Sequence, residues 1–138
     1  MRILGIDYGE ARTGLALSDE TEMLSNTYDT LHERNKEVLA QKIADICRQY
    51  DVHKIVLGLP KNMDGTEGFR AQATRAFKEL LEPLLPDMGF EFYDERMTTM
   101  IASHFMAEAG TKGKKKRNAI DALSAQIILQ DYLDRNRK

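Results

Sequence analysis

Three acidic residues from distant parts of the chain, Asp7, Glu95 and Asp121, are the side chains best suited to chemistry. Asp7 ends an apolar run that begins at residue 1, and Glu95 follows a second apolar run at residues 90–93. An acid at the end of a buried strand is costly unless it is paired, hydrogen-bonded or bound to a cation. Acids gathered at one end of a sheet would repel one another, so we expect a cation to bridge them. Oxygen ligands without clustered His or Cys favour Mg²⁺ or Mn²⁺ over zinc.

Each acid also has a purely structural interpretation. Asp7 can cap the glycine-rich turn that follows it, and residues 94–96 can form a surface turn with an acid–arginine pair. Asp121 follows Asn118 by three residues, so it can be the acid of a capping box in the first turn of the last helix. Taken together, however, the acids match a phosphodiester displacement in which two ions about 4 Å apart clamp the attacking and leaving oxygens.

A basic segment at residues 112–117 is the second chemical feature. The whole chain has 20 Lys and Arg against 22 Asp and Glu, a net charge of -2, so affinity for nucleic acid must come from local clusters. A solvated loop would explain the glycines here but not the lack of acids. We interpret the segment as phosphate-binding, with Arg12 as a second candidate for steering phosphate toward Asp7. No aromatic residue is interleaved, so base stacking is not indicated. The basic residues are Lys112, Lys114, Lys115, Lys116 and Arg117.

The hydrophobic pattern predicts the elements that position these residues. Residues 1–17 predict a β-hairpin, and residues 23–31 predict a polar strand suited to the edge of a sheet. Helical periodicity over residues 35–50 and 69–84 alternates with buried strands at 53–59 and 90–93. A third helix is expected from Thr98 or Thr99, and the basic segment would separate it from a final helix over residues 118–135.

This order predicts an α/β fold with a mixed five-stranded sheet, three antiparallel strands followed by alternating strands and helices, and helices on both faces. The first, fourth and fifth strands would be parallel. Ligands bind beyond the carboxyl ends of such strands, where Asp7 and Glu95 both lie. Gly58, near the end of the fourth strand, leaves space between them. A chain of 138 residues predicts a single domain covering residues 1–138.

The composition argues against several classes of protein. The single cysteine, Cys47, rules out an internal disulfide framework and fits a reducing compartment. No apolar run approaches 18 residues, so we expect no membrane association and a cytoplasmic location. The three histidines, His32, His53 and His104, are scattered and are more typical of surface or packed residues than of metal ligands.

Four pieces of the sequence resemble the YqgF (RuvX) family. They are Gly-Ile-Asp-Tyr-Gly at 5–9, the loop with Gly-Leu-Pro-Lys-Asn-Met-Asp-Gly-Thr within 56–68, Asp-Glu-Arg at 94–96, and Asp-Ala-Leu-Ser-Ala at 121–125. The resemblance implies a ribonuclease-H-like fold in a family described as Holliday-junction-resolvase-like and as maturing the 5′ end of pre-16S rRNA. It also implies that Asp7, Glu95 and Asp121 form the acidic triad of a nuclease. Asn62 and Asp64 would lie in a loop beside that site, and Asn62 is a candidate for binding nucleic acid.

We therefore predict a hydrolase of phosphodiester bonds that uses Mg²⁺ or Mn²⁺, with two ions, and that acts on the 5′ end of pre-16S rRNA. Structured RNA is the favoured partner because of the family, and branched DNA, as substrate of a junction resolvase, is the alternative. Symmetrical cutting of a junction needs two sites and hence a dimer, and both a monomer and a homodimer are compatible with the sequence. A non-cleaving nucleic-acid-binding module is a further alternative. An actin-like kinase shares the Asp-x-Gly hairpin but needs two lobes, whereas 138 residues supply one.

Overall fold

A computed structural model describes residues 1–94 and 113–136, and for residues 113–119 it describes the backbone alone. Glu95 and the helix predicted from Thr98 or Thr99 lie outside the described residues. No helix in the described part of the chain is both long and apolar enough to cross a membrane. The elements are β1 (Arg2–Asp7), β2 (Arg12–Ser18), β3 (Ser25–His32), α1 (Lys36–Gln49), β4 (Val52–Leu59), α2 (Phe69–Leu81) with a 3₁₀ turn (Glu82–Leu84), β5 (Gly89–Asp94) and α3 (Gly113–Arg135).

The strands form one five-stranded sheet in the order β3-β2-β1-β4-β5. The pairs β1–β2 and β2–β3 are antiparallel, whereas β1–β4 and β4–β5 are parallel. The predicted mixed sheet is therefore confirmed, and β3 is an edge strand with mostly exposed residues, as its polar sequence indicated. In this register Asp7, the last residue of β1, lies opposite Gly14 of β2.

Helices cover both faces of the sheet, as predicted. Alternation along β1 sends Leu4, Ile6 and Tyr8 into a core shared with α1 and α2. Ile3 belongs to a second core, which is formed with α3 on the opposite face. Asp7 shares the period-2 face of Ile3 and so lies on the side of the sheet that α3 covers.

The predicted start of the last helix at Asn118 is wrong, because α3 begins at Gly113. The long unbranched side chains of Lys and Arg lose little freedom in a helix, so the basic segment extends the helix instead of forming a separate loop. Asp121 consequently lies about two turns inside α3 and is not the acid of a capping box. Its carboxylate belongs to the part of the helix that packs on the sheet.

The close approach of α3 to the sheet depends on glycines, which have no side chain. A Cβ atom at Gly14 would lie 2.0 Å from the carbonyl oxygen of Asp121, and one at Gly5 would lie 2.9 Å from Cβ of Leu129. Ser124 and Ala125 are fully buried, which confirms that small residues let this part of the helix approach closely. Gly14 therefore fixes Asp121 beside the end of β1.

Candidate active site

Asp7 and Asp121 line the same open cavity, of about 720 Å³, at the carboxyl end of β1. β1 delivers Asp7 as its last residue, and close packing on Gly14 delivers Asp121 from α3. The structure thus brings together two of the three predicted acids. The position of Glu95 is outside the described residues, immediately after the end of β5. Two further carboxylates, Glu10 and Glu33, also line the cavity.

Asp121 is largely buried beside Arg12. Its side chain is 18% exposed, and Nε of Arg12 lies 3.0 Å from its Oδ2 atom. That oxygen is buried and accepts no aligned hydrogen bond from any residue that the structure describes, so the contact with Arg12 is an ion pair only. Burial raises the pKa of Asp121, and the nearby charges of Arg12, His32 and Arg70 oppose this rise.

This carboxylate oxygen has lost its hydration, and among the described residues the ion pair with Arg12 compensates only part of that loss. A cation would satisfy that oxygen, and the carboxylates in the cavity are hard donors of the kind that Mg²⁺ and Mn²⁺ prefer. Among the described residues no group of three His, Cys, Asp or Glu side chains is arranged to hold a metal ion. Asp7 and Asp121 therefore fit such an ion in donor chemistry, as an incomplete set of ligands.

Four basic side chains surround the acids, and sequence reasoning identified one of them. Arg12 contacts Asp121 and remains partly exposed, and its steering of phosphate stays a prediction. His32, interpreted as a surface or packed residue, pairs with Arg12 in the β2–β3 register and lines the cavity. Arg34 and Arg70 were missed because they belong to separate segments, after β3 and in α2, that meet only in the fold. The sequence carried no local signal that places His32, Arg34 and Arg70 together.

The loop at residues 61–67 folds back on itself and is held mainly by its own hydrogen bonds. Asn62 donates from its side-chain amide to Oγ1 of Thr66 at 2.9 Å, and Oδ1 of Asp64 accepts from the backbone N–H of Thr66 at 2.9 Å. Gly65 adopts a φ of 89°, a value that glycine tolerates best. Neither Asn62 nor Asp64 lines the acid cavity. These contacts give Asn62 a structural role, and its binding of nucleic acid stays a prediction.

The basic segment lies in the first turns of α3 and is followed by Asp121 in the same helix. Residues 114–117 precede Asp121 by about one to two helical turns. A role of Lys114, Lys115, Lys116 and Arg117 in binding nucleic acid stays a prediction, as does that of Lys112, which lies outside the described residues.

The sheet order and the acids at its carboxyl end define a ribonuclease-H-like fold, the class of the junction resolvases. The fowlpox virus resolvase in complex with Holliday junction DNA has a TM-score of 0.63, with 11% identity and full coverage of both chains. RuvC of Thermus thermophilus in complex with a Holliday junction substrate has a TM-score of 0.62 at 10% identity, covering 98% of this chain and 95% of RuvC. At such identities the likeness concerns the fold alone.

Sequence similarity identifies the family. A family model described as "RuvX: Holliday junction resolvase" matches residues 1–135. A protein of Acetivibrio thermocellus is 40% identical over 100% of this chain and 99% of its own length. One of Bacillus cereus is 41% identical over 98% and 99%, and both carry the name "Putative pre-16S rRNA nuclease". The chain belongs to the RuvX family, which confirms the resemblance found in its motifs.

Proposed function

We propose that this protein is an endonuclease that uses Mg²⁺ or Mn²⁺ to hydrolyse a phosphodiester bond at the 5′ end of pre-16S rRNA. Membership of the RuvX family and the shared name of relatives about 40% identical support the nuclease class and the RNA substrate. We also propose that residues 1–138 work as one nuclease domain in the cytoplasm.

The observation that carries this proposal is that Asp7 and Asp121 meet in one cavity. The same cavity has a basic rim, formed by Arg12, His32, Arg34 and Arg70. Arg12, Arg34 and Arg70 attract a polyanion. Their positive charge offsets the repulsion that the carboxylates would otherwise exert on its phosphates. Such a mixture suits a site that binds phosphate and a cation together, because the cation neutralises the acids that would repel the phosphate.

Asp7 and Asp121 would hold the metal, and Glu95 is proposed as a third ligand from the segment that follows β5. We infer two ions, as in phosphodiester cleavage by paired metals. When bound, the metal would supply Lewis-acid stabilisation of the negative charge that develops on the phosphate oxygens. The buried Oδ2 atom of Asp121 supports this role, because it has no aligned hydrogen bond among the described residues.

In the proposed mechanism Arg12 has two alternative partners, the Asp121 carboxylate and a phosphate oxygen. Without a cation, its Nε atom lies 3.0 Å from Asp121 and offsets part of the cost of burying that carboxylate. With a cation held at Asp121, the guanidinium of Arg12 would no longer be needed to neutralise that carboxylate and would be available to a phosphate oxygen. The basic residues of α3, with Lys112 before it and Asn62 in the neighbouring loop, would contact phosphates farther from the cleaved bond.

Cleavage of a labelled pre-16S rRNA 5′ leader, with Mg²⁺, Mn²⁺ or EDTA, tests the proposal. We expect cleavage with metal and wild-type protein and none with Asp7→Asn. A matched control is Asp45→Asn, which removes an exposed carboxylate of α1 that pairs with Arg48 at 3.1 Å. Cutting in EDTA, or equal cutting by Asp7→Asn, would contradict the assignment.

A second candidate, a Holliday junction resolvase, is favoured by the description of the family model. It requires two active sites on one junction and hence a homodimer, whereas RNA cleavage needs one site and a monomer suffices. A labelled four-way DNA junction in the same assay separates the two functions, because paired symmetrical cuts would appear on the junction alone.

A further inference from the structure

A second cavity, of about 290 Å³, adjoins the acid cavity along the start of α2. Tyr8, Gly9, Glu10 and Arg70 line both cavities, so the two spaces lie side by side. A chain that crosses the acids can therefore extend into this second space without leaving the protein surface. The side of the second cavity away from the acids carries Lys36, Phe69 and Ala73.

Phe69 is the unusual residue of this cavity. It is the first residue of α2 and is 82% exposed, although the buried face of the same helix is formed by other residues, among them Phe77. Tyr8, by contrast, is buried and stacks on Phe77 with their ring centroids 4.5 Å apart. An aromatic ring that is not used for packing presents a flat apolar surface to a ligand.

The surroundings of Phe69 favour a phosphate. Lys36 and Arg70 line the same cavity. The first turn of α2 contains no acidic residue, and its N-cap is Gly68, which has no side chain to cap the helix. Backbone N–H groups in a first turn lack helical partners, and the helix dipole adds positive potential there. The carboxylate of Glu10 can accept a hydrogen bond from a sugar hydroxyl or a base amine.

We propose that Phe69, Arg70 and Lys36 form a subsite for an unpaired nucleotide next to the cleaved phosphate. The base stacks on Phe69, and the neighbouring phosphate lies between Arg70 and Lys36. A base within a duplex is already stacked on both faces, so the preferred substrate is a strand that is single, or locally unpaired, beside the cut. This inference rests on the proposed function, since it places the subsite by the acids.

Binding of short oligonucleotides tests the subsite separately from catalysis. The protein is Asp7→Asn in EDTA, so no cleavage occurs, and the probe is an RNA with 2-aminopurine at an unpaired position. We expect Phe69→Ala to weaken binding about 5- to 100-fold and to abolish the fluorescence change from stacking. Phe69→Trp should restore both signals, and Leu24→Ala, which truncates another exposed apolar residue, should change neither.

The salt dependence of binding distinguishes the contact with the base from the contact with the phosphate. Phe69→Ala should leave the slope of log affinity against log salt unchanged, and Arg70→Ala should reduce its magnitude by about 0.7 for a single strand. Unchanged binding by Phe69→Ala, or the same loss on a fully paired duplex, would overturn the subsite. DNA of the same sequence should lose as much as RNA on Phe69→Ala, because stacking ignores the sugar, and a loss on RNA alone would also overturn it.

The two proposals fail in different ways. If wild-type protein with metal cuts no RNA but binding depends on Phe69 as expected, the subsite holds and the nuclease assignment fails. If the RNA is cut and Phe69→Ala binds and cuts it like the wild type, the assignment holds and the subsite fails.

Discussion

Two regions of α3, residues 121–124 and residues 126–130, differ in how their polar side chains are hydrogen-bonded. In the later region, Gln126 and Gln130 reach across to β3 and to the turn before it. Gln126 Nε2 donates to the carbonyl oxygen of Ser25 at 3.1 Å, and Gln130 Oε1 accepts from the Ser25 N–H at 2.8 Å. In the earlier region, Oδ2 of Asp121 and Oγ of Ser124 are buried without a hydrogen-bond partner among the described residues.

The difference indicates which polar groups hold the fold and which are kept for a ligand. Each hydrogen bond to Ser25 joins positions more than 100 residues apart, so it fixes the edge strand against the helix. Asp121 instead has a buried, poorly satisfied carboxylate, which is costly. Such a group persists when function requires it, and its removal then stabilises the fold while ending the activity.

Among the substitutions that leave the acids in place, the largest effect is expected from Gly14→Ala, which disrupts the packing that places Asp121. A methyl group there meets the carbonyl oxygen of Asp121 at 2.0 Å, so α3 must move away from β2. We expect a loss of about 1–3 kcal/mol in unfolding free energy and of about 100-fold in cleavage, since a shift of about 1 Å disrupts catalysis. Denaturant titration and RNA cleavage measure both.

Gly89→Ala is the matched control for that change. Its added Cβ would lie 3.6 Å from the nearest atom, the carbonyl oxygen of His53, which is ordinary contact. Equal effects of the two substitutions would contradict the packing explanation.

Divalent metal should stabilise the protein through the acids of the cavity. Because ligand bound to the folded state alone adds RT ln(1 + [L]/Kd), Mn²⁺ at 100 times its dissociation constant should add about 2.7 kcal/mol. Asp121→Asn should lose most of this gain, whereas Gln130→Ala should keep it. Thermal unfolding with increasing Mn²⁺ measures the effect, and an identical rise in Asp121→Asn would remove this residue from the metal site.

Gln130→Ala tests the later region of α3, residues 126–130, whose polar side chains are hydrogen-bonded. It leaves the backbone N–H of Ser25 and the carbonyl oxygen of Met23 without the side chain that bonds them at 2.8 and 3.0 Å. We expect a loss of about 1–3 kcal/mol in stability, with cleavage unchanged. Gln41→Ala, which breaks an exposed hydrogen bond to Asp45, should change stability by less than about 0.5 kcal/mol. A drop in cleavage by folded Gln130→Ala would contradict the assignment of residues 126–130 to the fold alone.

The pH dependence of stability gives the smallest effect. Burial raises the pKa of Asp121 in the folded state, so the folded protein holds this proton more tightly than the unfolded chain. The group's contribution to stability is therefore greatest below its unfolded pKa of about 3.9 and is lost as the pH rises through the folded pKa. Asp121→Asn should match the wild type in stability below about pH 3.9 and become the more stable of the two as the pH rises toward neutrality. A constant difference across this range would show that desolvation of the carboxylate is not the cause.

The sequence predicted the sheet well because strand signals are local. Alternation and glycine placed the hairpin, and the order of elements sufficed for parallel pairing of β1, β4 and β5. Asp7 was predicted at a strand end for the same reason. The start of α3 was missed because capping signals at Asn118 competed with the high helix propensity of the basic segment, and propensity prevailed.

The basic rim could not be predicted in the same way. Arg70 and His32 come from α2 and from the end of β3, and only the folded sheet brings them to Asp121. The exposed ring of Phe69 resembles a core position in the sequence, because it fits the helical period of α2. Its exposure depends on the orientation of the helix, which a one-dimensional pattern does not contain.

The most direct test of the account is the cleavage rate of Asp121→Asn on a pre-16S rRNA 5′ leader with Mg²⁺, on protein whose unfolding is measured in the same preparation. We expect a protein at least as stable as the wild type that has lost about 10³-fold or more of its cleavage rate. A folded Asp121→Asn that cuts RNA at the wild-type rate would contradict it, because the buried carboxylate would then have no part in the chemistry.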